Sequence, residues 1–220
     1  METTKAYKGL AMEGLIATWY TRNTGRDRKR FDDAARRLAG RIRPGAQLLE
    51  VASGPGYLAI EMARRGYAIT ALDISRSFVR ITRENAATAG VVVDVRHGNA
   101  AQMPFADASF DFVVCMAAFK NFTDPIGAIN EMHRVLRPGG QASIFDLRKD
   151  ATREEIDAVV RNMHLSAVNT QLTKWTFQFM LLRLAYTRDQ LKRMAAESRF
   201  AAGEIVGDGI GCELRLTKGV

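Results

Sequence analysis

From Gln47 onward the chain alternates between short apolar runs and amphipathic stretches. The runs Gln47 to Val51, Tyr67 to Leu72, Val91 to Arg96, Phe110 to Met116 and Gln141 to Leu147 have the length and side-chain types of buried strands. Between them, Tyr57 to Arg65, Ser77 to Ala89 and a segment ending at Leu136 carry apolar residues at helical spacing. Gly66, Gly90 and Pro138-Gly139-Gly140 supply the stops, and Asp124-Pro125 supplies a cap and first-turn proline for the third helix. Strands alternating with helices predict βαβ units, hence a parallel sheet covered on both faces.

The flanks read differently. A helix is predicted from Asp27 to Gly40, with Phe31, Ala34, Ala35 and Leu38 on one face, behind a helical preamble. Residues 1–43 thus form a helical N-terminal cap. After the fifth strand, Thr152 with Glu155 and Thr187 with Gln190 are capping boxes. Between them, His164 to Tyr186 is dense in aromatic and aliphatic residues, so 152–186 reads as a helical insertion that serves as a substrate lid. Gly203 to Val206 and Cys212 to Leu216, joined through Gly-Asp-Gly, predict a terminal antiparallel hairpin. The expected fold is α/β: one doubly wound, Rossmann-like domain over 1–220, with a mostly parallel seven-stranded sheet, the hairpin and helical lid elements.

Composition narrows the setting. No apolar run in the 220 residues approaches the ~20 needed to span a bilayer. The start METTKAYKGL lacks a signal-peptide pattern, so a cytoplasmic protein without membrane partners is expected, as monomer or dimer. Two cysteines are too few for a disulfide framework, and Cys115 reads as a reduced core residue. The net charge of +8 is concentrated between Arg22 and Arg43, where nine basic residues face three acids. Such a stretch is either a solvated helix face or a contact for an anion such as nucleic acid.

The chemistry gathers at strand ends. Strand one runs into Glu50-Val51-Ala52-Ser53-Gly54-Pro55-Gly56 and then a helix, a turn that lets the backbone approach a ligand. Asp73 ends strand two, where an acid accepts hydrogen bonds from ribose hydroxyls or, alternatively, caps the next helix, a role open to Ser75 as well. Gly98-Asn99-Ala100 follows strand three. Three such loops converge on one sheet edge. A nicotinamide dehydrogenase has similar glycine spacing, but Glu50 would repel a pyrophosphate and suits a ligand with a cationic end.

These segments resemble class I S-adenosylmethionine-dependent methyltransferases, nearest to the ubiquinone/menaquinone-biosynthesis type. The phrases LLEVASGPGYLA, ALDIS, GNAAQMPF, SFDFVVCMAAFKNFTDP and RVLRPGG carry the likeness, strongest over Leu48 to Leu147. The resemblance implies S-adenosylmethionine as cofactor and S-adenosylhomocysteine as product. It places Ala52, Ser53, Gly54 and Gly56 on the methionine part, with Glu50 orienting that loop or the amino group. Asp73 falls on the ribose, Ile74 on the adenine face, Asn99 and Ala100 on its edge, and Met116 and Ala117 beside the sulfonium. Tyr20 is expected to close over the cofactor. Two positions depart from the family pattern: Ala52 replaces its first glycine and Asn99 its usual acid. Phe119-Lys120-Asn121-Phe122 stands where many relatives carry His-His-Phe, so that loop offers no histidine base.

Methyl transfer in line from a positive sulfur is governed by positioning, and no metal-ligand cluster is evident. No catalytic base is identified. The weak candidates are Asp146 and His164, with Arg148 also near the expected cleft. Trp19, Phe119, Asn121, Arg148, Trp175 and Phe179 are the candidate substrate contacts. The expected partner is a small, partly apolar or aromatic methyl acceptor, and the loop after strand four lacks the Asn-Pro-Pro-Tyr pattern of DNA amine methylation. Two alternatives stay open: an RNA methyltransferase using the basic 22–43 stretch, and a non-catalytic S-adenosylmethionine-binding module.

Overall fold

The computed structural model describes residues 7–8, 12–25, 28–161, 171, 173, 175, 182–207 and 209–220. His164, Phe179, most of the predicted 164–186 segment, Asp27 and the hairpin's Asp208 lie outside the described residues.

Two helices open the chain, α1 (Gly14–Thr24) and α2 (Arg28–Ala39). The alternating region follows as β1 (Gln47–Val51), α3 (Tyr57–Arg64), β2 (Ala68–Asp73), α4 (Arg76–Thr88), β3 (Asp94–His97) and β4 (Phe110–Met116). It continues through α5 (Pro125–Val135), β5 (Leu136–Leu147) and α6 (Arg153–Arg161). The chain closes with α7 (Arg188–Glu197), β6 (Glu204–Val206) and β7 (Gly211–Thr217). The seven strands form one sheet in the order β3-β2-β1-β4-β5-β7-β6. β7 lies antiparallel to both its neighbours, and the pairings from β3 to β5 are all parallel. The predicted hairpin is thus present, with β7 inserted between β5 and β6.

The two-residue period of the strands sorts the core into two layers. Leu49, Val51, Val113 and Cys115 face α5 and α7, where Ile129, Met132, Leu191 and Ala195 receive them. Leu48, Phe112 and Val114 face α2 and α3, against Ala35, Leu38, Leu58 and Met62. Glu50 is on this second face by the same alternation, which is why a carboxyl ends up 3% exposed.

β5 begins earlier than its sequence predicts. Leu136 already pairs with Phe110, and the ladder resumes at Gln141 opposite Phe112 after a register shift. Both capping boxes form: Thr152 with Glu155, and Thr187 with Gln190.

Strand order reverses between β1 and β4, and a crevice opens at their C-terminal ends. The β1–α3 turn there depends on Gly56. Its φ of 77° is left-handed, and an added Cβ would sit 2.4 Å from Thr82 Cγ2. Thr82 in turn donates from Oγ1 to the Gly54 carbonyl at 2.7 Å. Gly56→Ala is expected to cost about 2 kcal/mol or more, combining left-handed strain with overlap, measured as a lower denaturation midpoint. Unchanged stability would show that the turn relaxes freely.

Candidate active site

The crevice holds a cavity of about 640 Å³, within the range of small-molecule sites. Its walls include Glu50, Ala52, Ser53, Gly54, Asp73, Ile74, Asn99, Ala100, Met116, Ala117 and Tyr20, brought together from the ends of four strands and from α1. Eleven of the twelve residues expected at the cofactor therefore meet in one place. The twelfth, Gly56, lies behind the wall, where it makes room for Thr82.

Asp73 is the best fixed of these groups. Its Oδ2 accepts from the Gly54 N–H at 2.8 Å, and its Oδ1 from the Ser75 N–H at 2.8 Å. Ser75, not Asp73, caps α4, with its hydroxyl accepting from the Phe78 N–H at 3.0 Å. Each Asp73 oxygen keeps a lone pair, so the carboxylate can accept two further hydrogen bonds. Burial pushes its pKa up to about 6, against the pull of those backbone donors.

Glu50 is more extreme. Burial pushes its pKa up to about 8, opposed by a hydrogen bond from the Ala59 backbone, and the nearby Asp73 charge adds to the rise. Its Oε2 and the Ser53 hydroxyl are both buried without a hydrogen-bond partner among the described residues. Orphaned polar atoms of this kind each cost free energy. Here two of them line the same cavity.

Backbone strain marks the same edge. Ala52 has φ 56° and Ala117 φ 60°, left-handed values at non-glycine residues. They end β1 and β4, on the two sides of the switch point. Gly54, at φ 54°, has open space where a Cβ would stand.

The remaining predicted residues divide. Ile74 is 39% exposed on the cavity wall, an apolar face available to a flat ring. Asn99 Oδ1 accepts from the Ala101 N–H at 3.0 Å, which fixes its loop. Asn121 lines the cavity, but Phe119 is fully buried and packs between Phe122 and Tyr186. Trp19 faces outward from α1 at 67% exposure, while its neighbour Tyr20 turns inward against Phe78. Arg148 is buried away from the cavity and holds Glu155 and the Gly209 and Asp150 carbonyls. Trp175 borders a separate basic cavity with Lys149, Arg153 and Arg183. Asp146 sits beneath the cavity, paired with Lys120 at 2.8 Å. His133 packs on Phe200. Among the described residues no cluster of His, Cys, Asp or Glu could hold a metal ion.

Sequence reasoning missed Tyr7, Glu13, Arg30 and Lys120. Tyr7 bridges to Phe122, and the Lys8 N–H donates to the Asn121 carbonyl at 2.7 Å, which brings the start of the chain over the cavity. Glu13 accepts from the Arg76 and Ser77 N–H groups at the start of α4. Arg30 reaches the cavity wall from α2 with its guanidinium over the Phe31 ring, 4.6 Å from the centroid. Tyr7, Glu13 and Arg30 carry no local motif and are placed by long-range packing, whereas Lys120 sits in the turn after β4.

Residues 49–144 match the family model described as a methyltransferase domain. A demethylmenaquinone methyltransferase of Listeria monocytogenes is 36% identical over 111 residues, covering 48% of this chain and 46% of the relative. A ubiquinone/menaquinone biosynthesis C-methyltransferase of Cupriavidus metallidurans is 33% identical over 111 residues, covering 49% and 46%. The chain thus matches about half the length of these curated relatives. Among solved structures, a candidate S-adenosyl-L-methionine-dependent methyltransferase from Methanococcus maripaludis superposes with a TM-score of 0.73 at 18% identity, covering 99% of this chain and 98% of that one. The fold is that of the Rossmann-like methyltransferases. Within it, residues 49–144 are similar to methyltransferase domains, including those of the two quinone-biosynthesis relatives.

The Glu50 environment sets a pH dependence. Its folded pKa of about 8 exceeds the ordinary 4.5, so the native state keeps a proton that the unfolded chain has lost. That linkage costs stability progressively as pH rises from 4.5 to 8. Ligand-free Glu50→Gln is therefore expected to melt several degrees above the parent near pH 8 and level with it near pH 4.5. A pH-independent difference in Tm would contradict the assignment.

Proposed function

We propose that the chain is an S-adenosylmethionine-dependent methyltransferase acting on a small, partly apolar or aromatic acceptor. One observation carries the reading: Glu50 Oε2 and Ser53 Oγ are buried without partners among the described residues, beside the Asp73 carboxylate, in a cavity at the switch point. A dinucleotide's pyrophosphate would meet two buried acids there. A ligand with an ammonium group and a ribose would satisfy them.

S-adenosylmethionine supplies, when bound, a methyl group on a positively charged sulfur. Glu50 and Ser53 would hold its amino end, and Arg30 offers a cation for the carboxylate next to it. Asp73 would take the ribose hydroxyls, Ile74 and Asn99-Ala100 the adenine, and Met116 and Ala117 the sulfonium end. Catalysis by these residues consists of alignment and exclusion of water. The names of the curated relatives support a quinone-type ring as the acceptor class. No described helix is long and apolar enough to cross a membrane, which is compatible with the cytoplasmic setting proposed for the enzyme.

Calorimetry tests the donor half. S-adenosylmethionine and S-adenosylhomocysteine are expected to bind and NAD to give no heat. Asp73→Ala is expected to weaken S-adenosylhomocysteine by about a hundredfold, the loss of two hydrogen bonds to a charged group. Tighter NAD binding, or unchanged affinity in Asp73→Ala, would overturn the reading. Formation of S-adenosylhomocysteine with a demethylated quinol, followed by mass spectrometry, separates an enzyme from a binding module.

A further inference from the structure

At the end of β4 the chain makes a 3-10 turn, Phe119–Asn121. Phe119 anchors it in the core, and this puts Lys120 on the cavity wall beside Met116 and Ala117. The Lys120 side chain is only 11% exposed and Asp146 only 5%. Lys120 Nζ donates to Asp146 Oδ1 at 2.8 Å and to the Ala117 carbonyl at 3.0 Å. Asp146 is held by three donors: Oδ1 also accepts from the Leu147 N–H at 2.8 Å, and Oδ2 from the Lys120 N–H at 2.9 Å. An ammonium carries three N–H donors. Among the described residues two have acceptors and the third has none.

The carboxylate in this pair is engaged by three donors, two of them from Lys120, and the cation has one donor to spare. We propose that Lys120, held by Asp146, receives an oxygen of the methyl acceptor, and that the acceptor is a phenol or enol bound as its oxyanion. The inference rests on the donor-site reading above. A protonated amine would be repelled by Lys120, and a hydrocarbon would leave its third N–H unsatisfied in a nearly dry wall. A phenolate satisfies both conditions and is activated at its oxygen and at the carbons conjugated with it. The acceptor's electron pair forms the new bond to the methyl carbon. The pair of the broken sulfur–carbon bond stays on sulfur, and one proton, net, passes from the acceptor to solvent. Lys120 keeps its protons throughout. Asp146 is a positioning residue that fixes the ammonium.

The subsite can be read without turnover. The probe is 4-nitrophenol, added to protein saturated with S-adenosylhomocysteine, with the bound phenolate followed by its visible absorbance. At a pH about one unit below the probe's solution pKa, the parent protein is expected to bind it mainly as phenolate. Lys120→Met/Asp146→Asn removes the pair without stranding a charge, and is expected to bind the phenolate about tenfold more weakly. Lys120→Arg keeps a cation and should retain the preference. A phenolate bound as tightly by the double variant, or neutral phenol preferred by the parent, would overturn the proposal. Retained S-adenosylhomocysteine binding without any phenolate preference sinks the acceptor subsite alone. If S-adenosylhomocysteine also fails to bind, the donor reading falls with it.

Discussion

Two carboxyl groups held out of water at the ends of adjacent parallel strands set the terms for this molecule. Glu50 and Asp73 are 3% and 6% exposed; burial raises the pKa of both, and the Asp73 charge adds to the rise at Glu50. A fold has no stability reason to keep such a pair. The surrounding turn is built to hold it: Gly54 and Ser75 donate to Asp73, Ala59 to Glu50, and the left-handed residues Ala52, Gly54 and Gly56 bend the backbone around both acids. Buried acids plus strained backbone at one edge are the signature of a site organised for a ligand that the free protein must wait for.

The N-terminal cap completes that site through a few polar latches. Ser75 donates from its hydroxyl to the Met12 carbonyl at 2.6 Å, and Glu13 meets the free N–H groups at the start of α4. Tyr20 then packs on Phe78 with its ring in the cavity wall. The same α4 start therefore carries Ser75, which donates to Asp73, and fastens α1, so the Asp73 carboxylate and the neighbouring cavity wall share one anchor.

The sheet and the β1–α3 turn were legible in sequence because both are local. β1 and β4 have the boundaries their apolar runs predict, and Asp73 and Glu50 lie where strand ends and alternation put them. Which other side chains reach the cavity was not legible, and the reason is direction. Trp19 and Tyr20 are adjacent on a helix and so face about 100° apart; only packing against Phe78 decides which one turns inward. Phe119, expected at the substrate, turns into the core and Lys120 reaches the cavity wall, just after Ala117 with its φ of 60°, a bend that residue type does not announce. Arg148 looked like a cleft residue from its place after β5, yet Glu155 from the α6 capping box claims it.

Charge follows the same logic. The basic 22–43 stretch suggested a polyanion surface, but much of it is engaged within the fold. Arg36 pairs with Asp32 and Asp33, Arg41 with Glu213, and Arg43 with Asp111. Arg28 lies over Tyr57 and Arg30 over Phe31. Cations committed this way release few counterions on meeting a phosphate backbone, so they add little affinity for nucleic acid. Arg30 belongs instead to the cavity. With Lys120 it places one cation on the wall from α2 and one from the turn after β4, in the same cavity that Glu50 and Asp73 line. A zwitterionic donor and an oxyanionic acceptor would bring an anionic group to each cation and a hydrogen-bonding partner to each acid. That balance, more than any single residue, separates a small-molecule reading from a polyanion one.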